Sequence, residues 1–385
     1  MYFDNPFNIP SDLLNRVNYE DDISILIGEN GSGKSSMLNE IAKYFLGRGA
    51  TKVIAVANTI HDKFTARGDR YEALKASAGK AIVKRTLKSA LNMLTDEDNK
   101  RFNDISRTLE YVNFDPVIGL RLAGINRQYE GLIEQSSFEP HVKKDMQYFL
   151  SRFVEEAKYD NRVLPVNLYQ SSFYDIRDSF LIGVLKFEKE LKSLKIIRDI
   201  EVFLSKDRRF IPANSGSSGE LILITSVIYL MITIKTGSVI LIDEPENSLH
   251  PKWQTEYVKM IADLLYRYQP KIIIATHSAL IINSAELTAP WVKIYKGGNG
   301  TFTLAKSDVH NVEEAYQDFF DVTTPENRFL SQDVAKKMNQ LAAGEITMVE
   351  FERMINDFSN NAYDDKQKDV LAGVIEMGRK IIASR

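Results

Sequence analysis

"ISILIGENGSGKSSMLNEIAKYF", Ile23–Phe45, decides how the chain is read. Ile23–Ile27 is a short β-rich apolar run suited to a buried strand, and from Ser35 apolar residues recur at helical spacing. Between them Gly28 to Ser35 fits G-x-x-x-x-G-K-[ST], a loop whose glycines let backbone N–H groups curl around phosphates at a helix N-terminus. The stretch therefore predicts an α/β fold with a phosphate-binding loop. Glu29, Asn30, Gly31, Ser32, Gly33, Lys34, Ser35 and Ser36 are its candidate ATP-binding residues. Lys34 is expected to reach the β- and γ-phosphates, and the Ser35 hydroxyl to ligate Mg²⁺.

Two later stretches supply the chemistry such a loop needs. "GSVILIDEPENSLHPKWQ" (Gly237–Gln254) holds an apolar strand, Val239–Ile242, that ends in Asp243-Glu244. Carboxylates at the C-terminal ends of strands in a doubly wound sheet face the ligand crevice. Asp243 is the expected second Mg²⁺ ligand, and Glu244 the expected general base for water. "PKIIIATHSALII" (Pro270–Ile282) is another buried strand followed by Thr276-His277-Ser278, where a neutral imidazole would meet the γ-phosphate. Glu244 and His277 are the candidate catalytic residues. A third stretch, "ANSGSSGELILI" (Ala213–Ile224), turns from small residues to the apolar start of a buried helix.

Composition narrows the class. With 44% hydrophobic and 26% charged residues over 385 positions, the chain has the makeup of an ordinary globular protein, long enough for one large domain or two smaller ones. A net charge of −3 gives no global nucleic-acid signature, and the absence of cysteine excludes disulfides and thiolate sites. "MYFDNPFNIPSDLL" lacks a signal-peptide layout, and the longest apolar run, Leu221–Ile234, is short of the roughly 20 residues a bilayer span needs. The expectation is a cytoplasmic protein with no membrane contact.

Taken together, "GENGSGKSS", "SSGE", "LIDEPENSLHP" and "ATHS" resemble the Walker A, signature, Walker B with D-loop, and H-loop motifs of ABC-type ATPases of the SMC, RecF and OLD group. The motifs span residues 22–60 and 205–285. The resemblance implies an ABC-type P-loop ATPase head and a homodimer that sandwiches two ATPs. In it Ser217, Ser218, Gly219 and Glu220 of one chain face the nucleotide of the other, with a higher oligomer open. The signature lacks the leading leucine and second glycine of the transporter form, a variation that the family's chromosome-associated and defence members tolerate. Few residues precede the first strand, so the family's N-terminal lobe is either reduced or rebuilt from "VIAVANT" (Val53–Thr59). The Q-loop glutamine is left open between Gln128 and Gln170. "VIAVANTIHDKF" (Val53–Phe64) and "VTTPENRFLS" (Val322–Ser331) further resemble PtuA-type ATPase subunits of Septu and retron-linked antiphage systems. That likeness implies an ATPase that controls a separate toxic effector, a nuclease or other toxin encoded nearby. The alternative is a RecF-like repair ATPase acting directly on DNA.

The predicted organisation is a discontinuous ATPase domain, 1–63 and 206–308, a mainly helical insertion, 64–205, and a C-terminal helical region, 309–385. A basic helix with Lys75, Lys80, Lys84, Arg85 and Lys88 is a candidate nucleic-acid or partner contact. Asp96-Glu97-Asp98 and Asp364-Asp365 follow no apolar strand, and the five histidines form no zinc or nuclease pattern. The chain itself is therefore not expected to be a nuclease.

Overall fold

The structure is a computed structural model. It describes residues 9–15, 22–50, 52–59, 62–76, 79, 81–93, 99–157, 162–169, 179–289, 292–298, 300–305, 328–360 and 365–383. In chain order the elements are α1 (Ser11–Leu14), β1 (Asp22–Ile27), α2 (Lys34–Gly47), β2 (Val53–Ala57), β3 (Tyr71–Lys75), α3 (Ala81–Met93), α4 (Asn99–Tyr111), β4 (Asp115–Ala123), α5 (Tyr129–Glu134), α6 (Pro140–Glu156) and β5 (Leu164–Asn167). There follow α7 (Phe180–Lys186), α8 (Glu188–Ser193), β6 (Asp199–Lys206), β7 (Arg209–Pro212), α9 (Ser218–Thr233), β8 (Val239–Asp243), α10 (Pro251–Leu265), β9 (Lys271–Ala275), α11 (Ala279–Thr288), β10 (Lys293–Gly298) and β11 (Thr301–Leu304). Three helices close the sequence: α12 (Arg328–Ala343), α13 (Met348–Asn360) and α14 (Asp365–Ala383).

Seven strands form one sheet in the order β11-β10-β1-β9-β8-β2-β3, parallel throughout except for the β10–β11 hairpin. Its central strands are apolar at nearly every position because both faces are covered. Ile25, Ile27, Ile54, Ile240 and Ile272 point to one cluster with residues of α9, α10 and α11, while Leu26, Val53, Leu241 and Ile273 point to another with Met37, Leu38 and Ile41 of α2. The two-residue period thus sorts alternate side chains of each strand into opposite layers. The fold is a mixed α/β, P-loop ATPase type with its sheet between helical layers.

"VIAVANT" does not build a separate lobe. Its strand, β2, lies between β8 and β3 in the core sheet, with Ala57 in register with Asp243. Five apolar residues in a row fit a strand buried on both faces, as its place inside the edge strand β3 requires. The segment 64–205, read as mainly helical, also carries β3, β4, β5 and part of β6. Strands β5-β4-β6-β7 make a second, antiparallel sheet. The three C-terminal helices share a small core of Leu341, Phe351, Ile355 and Leu371.

Candidate functional site

β1 delivers the chain into the phosphate loop, and the loop turns on glycines. Gly31 and Gly33 have φ of 85° and 98°, a region costly for residues with a Cβ. Gly28 answers to crowding as well: a Cβ there would lie 2.7 Å from the Gly297 carbonyl oxygen and 2.8 Å from the Ser32 hydroxyl. The tip of the β10–β11 hairpin therefore rests against the loop.

Lys34 is buried and donates to the carbonyls of Gly28 (2.9 Å) and Glu29 (3.1 Å). Burial holds its pKa below the ordinary lysine value, opposed by Glu244, Asp243 and Glu246. Its Nζ lies 3.5 Å from His277 Nδ1, and His277 Nε2 lies 3.4 Å from Glu244 Oε1. A proton on Nε2 satisfies both contacts, with the ring accepting from Lys34 and donating to Glu244. Burial and the Lys34 charge depress the imidazole pKa, which favours that neutral ring. The structure thus brings Lys34, Glu244 and His277 together at one sheet edge.

Asp243 ends β8 beneath them. It is fully buried, neither carboxylate oxygen has a hydrogen-bond partner, and burial raises its pKa to about 6. Ser35 is near enough to favour the ionised form without closing a hydrogen bond of ordinary geometry. A buried carboxylate with free lone pairs beside a hydroxyl fits a hard, oxygen-seeking cation such as Mg²⁺. The backbone bends sharply here, for Glu244 and Ser248 hold left-handed φ values of 50° and 66°. Such strain gathers where surrounding contacts fix it.

Two positioning residues escaped the sequence reading. Glu246 Oε1 accepts the His277 backbone N–H at 2.5 Å, and Asn247 Nδ2 donates to Glu244 Oε2 at 2.9 Å. Their signal was the repeated acid and amide in "DEPEN", whose targets are settled only by the fold. Asn58, just after β2, donates its backbone N–H to the Asp243 carbonyl at 3.2 Å.

Ser217–Glu220 stands at the start of α9. Ser217 caps the helix and Glu220 completes a capping box, with bonds of 3.3 and 3.1 Å, while Lys206 holds the other Glu220 oxygen at 2.7 Å. Ser217 and Ser218 face solvent, but Gly219 is buried. A Cβ on Gly219 would meet the Ser248 carbonyl oxygen at 2.2 Å. Glycine is required there by the segment after Walker B of the same chain.

The basic patch predicted around α3 is largely engaged. Lys75 lies on β3, bound to Asp62, and Lys84 and Lys88 pair with Asp199 and Glu188. Lys80, Gln170, Asp96–Asp98, Asp364 and most of Val322–Ser331 lie outside the described residues. Gln128 precedes α5 and is exposed. Among the described residues no helix is long and apolar enough to cross a membrane.

A family model described as "AAA domain, putative AbiEii toxin, Type IV TA system" matches residues 78–283, more than half of the chain. The match takes in the signature, Walker B and His277 but begins beyond the phosphate loop. Protein ea59 of Escherichia phage lambda is 32% identical over 75 residues, 20% of this chain and 14% of that protein. Similar solved structures include a nucleotide-free ATP-binding cassette from an ABC transporter (TM-score 0.30, 14% identity, 81% of this chain and 87% of that one). An Smc head domain from Pyrococcus furiosus (0.24, 13%, 58% and 56%) and UvrA2 from Deinococcus radiodurans (0.29, 14%, 74% and 34%) are also similar.

Proposed function

The chain belongs to this AAA-domain family, and on that premise we propose that it is an ATP-hydrolysing switch in which two chains close around Mg²⁺ and ATP. The observation that carries the reading is the convergence of Lys34, Glu244 and His277 above a buried Asp243 without hydrogen-bond partners. Residues Glu29–Ser36 would hold the phosphates, with Ser35 and Asp243 holding the metal. When bound, Mg²⁺ would neutralise charge on the phosphate oxygens. Glu244, steadied by Asn247, would take the proton from water, and the neutral His277 ring would offer its hydrogen bond to the phosphate end.

In this reading Ser217, Ser218, Gly219 and Glu220 act on the nucleotide of the second chain; Ser217 and Ser218 face solvent, with the Ser217 oxygen already accepting the Glu220 N–H as the helix cap. The ATPase unit is 1–63 with 206–308, joined by the edge strand β3 (Tyr71–Lys75) from the interrupting segment 64–205 and followed by 309–385. The resemblance to PtuA-type subunits and the toxin–antitoxin wording of the family support a cytoplasmic antiphage role. There slow hydrolysis would govern a separate effector, and this chain would not itself cut nucleic acid. Glu244→Gln should keep ATP binding, cut turnover at least about 100-fold and trap an ATP-bound dimer by light scattering. Wild-type turnover in that variant would remove Glu244 as the base.

A further inference from the structure

A cleft of about 530 Å³ runs between α3 and the α7–α8 pair, away from the phosphate loop. Its floor is an ion-pair network. Lys84 and Lys192 (2.9 Å) bind Asp199, and Lys88 (2.6 Å) and Lys192 (2.6 Å) bind Glu188. Three lysines therefore share two carboxylates. The rim adds Arg85, Lys186 and Lys189, all exposed and without an ion pair to any described residue. The described lining holds six cations against two anions in a chain whose net charge is −3.

The nature of the lining selects a ligand. Leu185 and Ala81 are its only apolar side chains among the described residues, and Leu185 is buried. A protein partner draws its affinity from buried aromatic or aliphatic anchors, for which this cleft has no pocket. Single strands are held by stacking bases on aromatic rings, and among the described residues no aromatic lines the cleft. What remains is charge on long, mobile side chains, which suits a repeating row of phosphates. Lys186 and Lys189, one turn apart, line one wall and Arg85 the other.

We propose that this cleft binds the phosphate backbone of double-stranded nucleic acid, with Arg85, Lys186 and Lys189 as the contacting cations. The ion-pair floor keeps Lys84, Lys88 and Lys192 in place and prevents the rim cations from collapsing onto Glu188 and Asp199. Binding here is sequence-independent and does not depend on the ATPase reading.

The test is fluorescence anisotropy of the full chain with a labelled DNA duplex, its single strand and a poly-glutamate peptide, across a salt series. Three phosphate contacts give a slope near −2.7 in log affinity against log salt, about a 40-fold loss from about 50 to about 200 mM salt. An Arg85→Gln/Lys186→Gln/Lys189→Gln protein should lose that part of the slope, and Lys189→Gln alone about 0.9 of it. Lys34→Ala should keep the wild-type slope, which separates this site from the ATPase site. An unchanged slope in the triple and single variants, no duplex binding at low salt, or tighter binding of the single strand or the peptide would overturn the proposal.

Discussion

Asp243→Asn should stabilise the nucleotide-free protein, and by an amount that grows with pH. The carboxylate is fully buried, lacks a hydrogen-bond partner, and has its pKa raised from 3.8 to about 6. A carboxyl whose folded pKa exceeds its unfolded value costs stability wherever the unfolded form is the more ionised. Below pH 3.8 both forms are protonated and the cost vanishes; above pH 6 it is complete. At 1.36 kcal/mol per pKa unit the cost is about 1.6 kcal/mol at pH 5 and about 3 kcal/mol at pH 8. The asparagine amide is also buried, and its own desolvation offsets part of the gain, but that offset does not vary with pH. The stability difference between the two proteins, from urea unfolding at each pH, should therefore widen by about 1.4 kcal/mol between pH 5 and pH 8. A constant difference would refute the claim that Asp243 is an uncompensated buried carboxylate, and with it the physical case for a cation there.

Gly219→Ala should lower stability by about 1–2 kcal/mol in urea unfolding, because the roughly 1 kcal/mol helical gain of alanine is outweighed by overpacking against the Ser248 carbonyl. A stabilised variant would mean the segment after Walker B yields freely. Lys34→Ala should raise the pKa of His277, measured by NMR, since the Lys34 charge depresses it, although burial continues to hold it down. Unchanged titration would show that the two side chains do not meet in solution. Lys271→Met should cost about 3–5 kcal/mol, because it removes a 1% exposed ammonium that pairs with the Asp22 carboxylate at 2.7 Å. Lys271→Met with Asp22→Leu should recover most of that loss.

What could be read from the sequence was local. The strand Ile23–Ile27, the loop to Ser35 and the helix beyond it announce themselves within two dozen neighbouring residues, as do the strands ending in Asp243 and Ala275. Their common sheet edge follows from parallel topology, so the meeting of Lys34, Glu244 and His277 was legible. Partnerships between distant residues were not. Nothing near Lys84 or Lys88 in sequence shows that Asp199 and Glu188, about a hundred residues on, take up their charge. The strand Asp115–Ala123 is interrupted by Pro116 and Gly119, which blur its alternation, so its place in a second sheet is invisible without its partners. Gly219 also has a packing reason that was not legible: within the chain a Cβ there would meet the Ser248 carbonyl oxygen.

The central claim, that two chains complete each other's ATP sites, is tested most directly by mixing two inactive proteins. Ser218→Arg keeps the phosphate loop and loses the signature; Lys34→Ala loses the loop and keeps the signature. A mixed dimer has one composite site with both halves intact and one with both lost. Each variant alone should be inactive, and an equal mixture should regain about a quarter of the wild-type ATPase rate per chain, as random pairing makes half the dimers mixed with one working site of two. No recovery at any mixing ratio, with both variants folded, would contradict the sandwich.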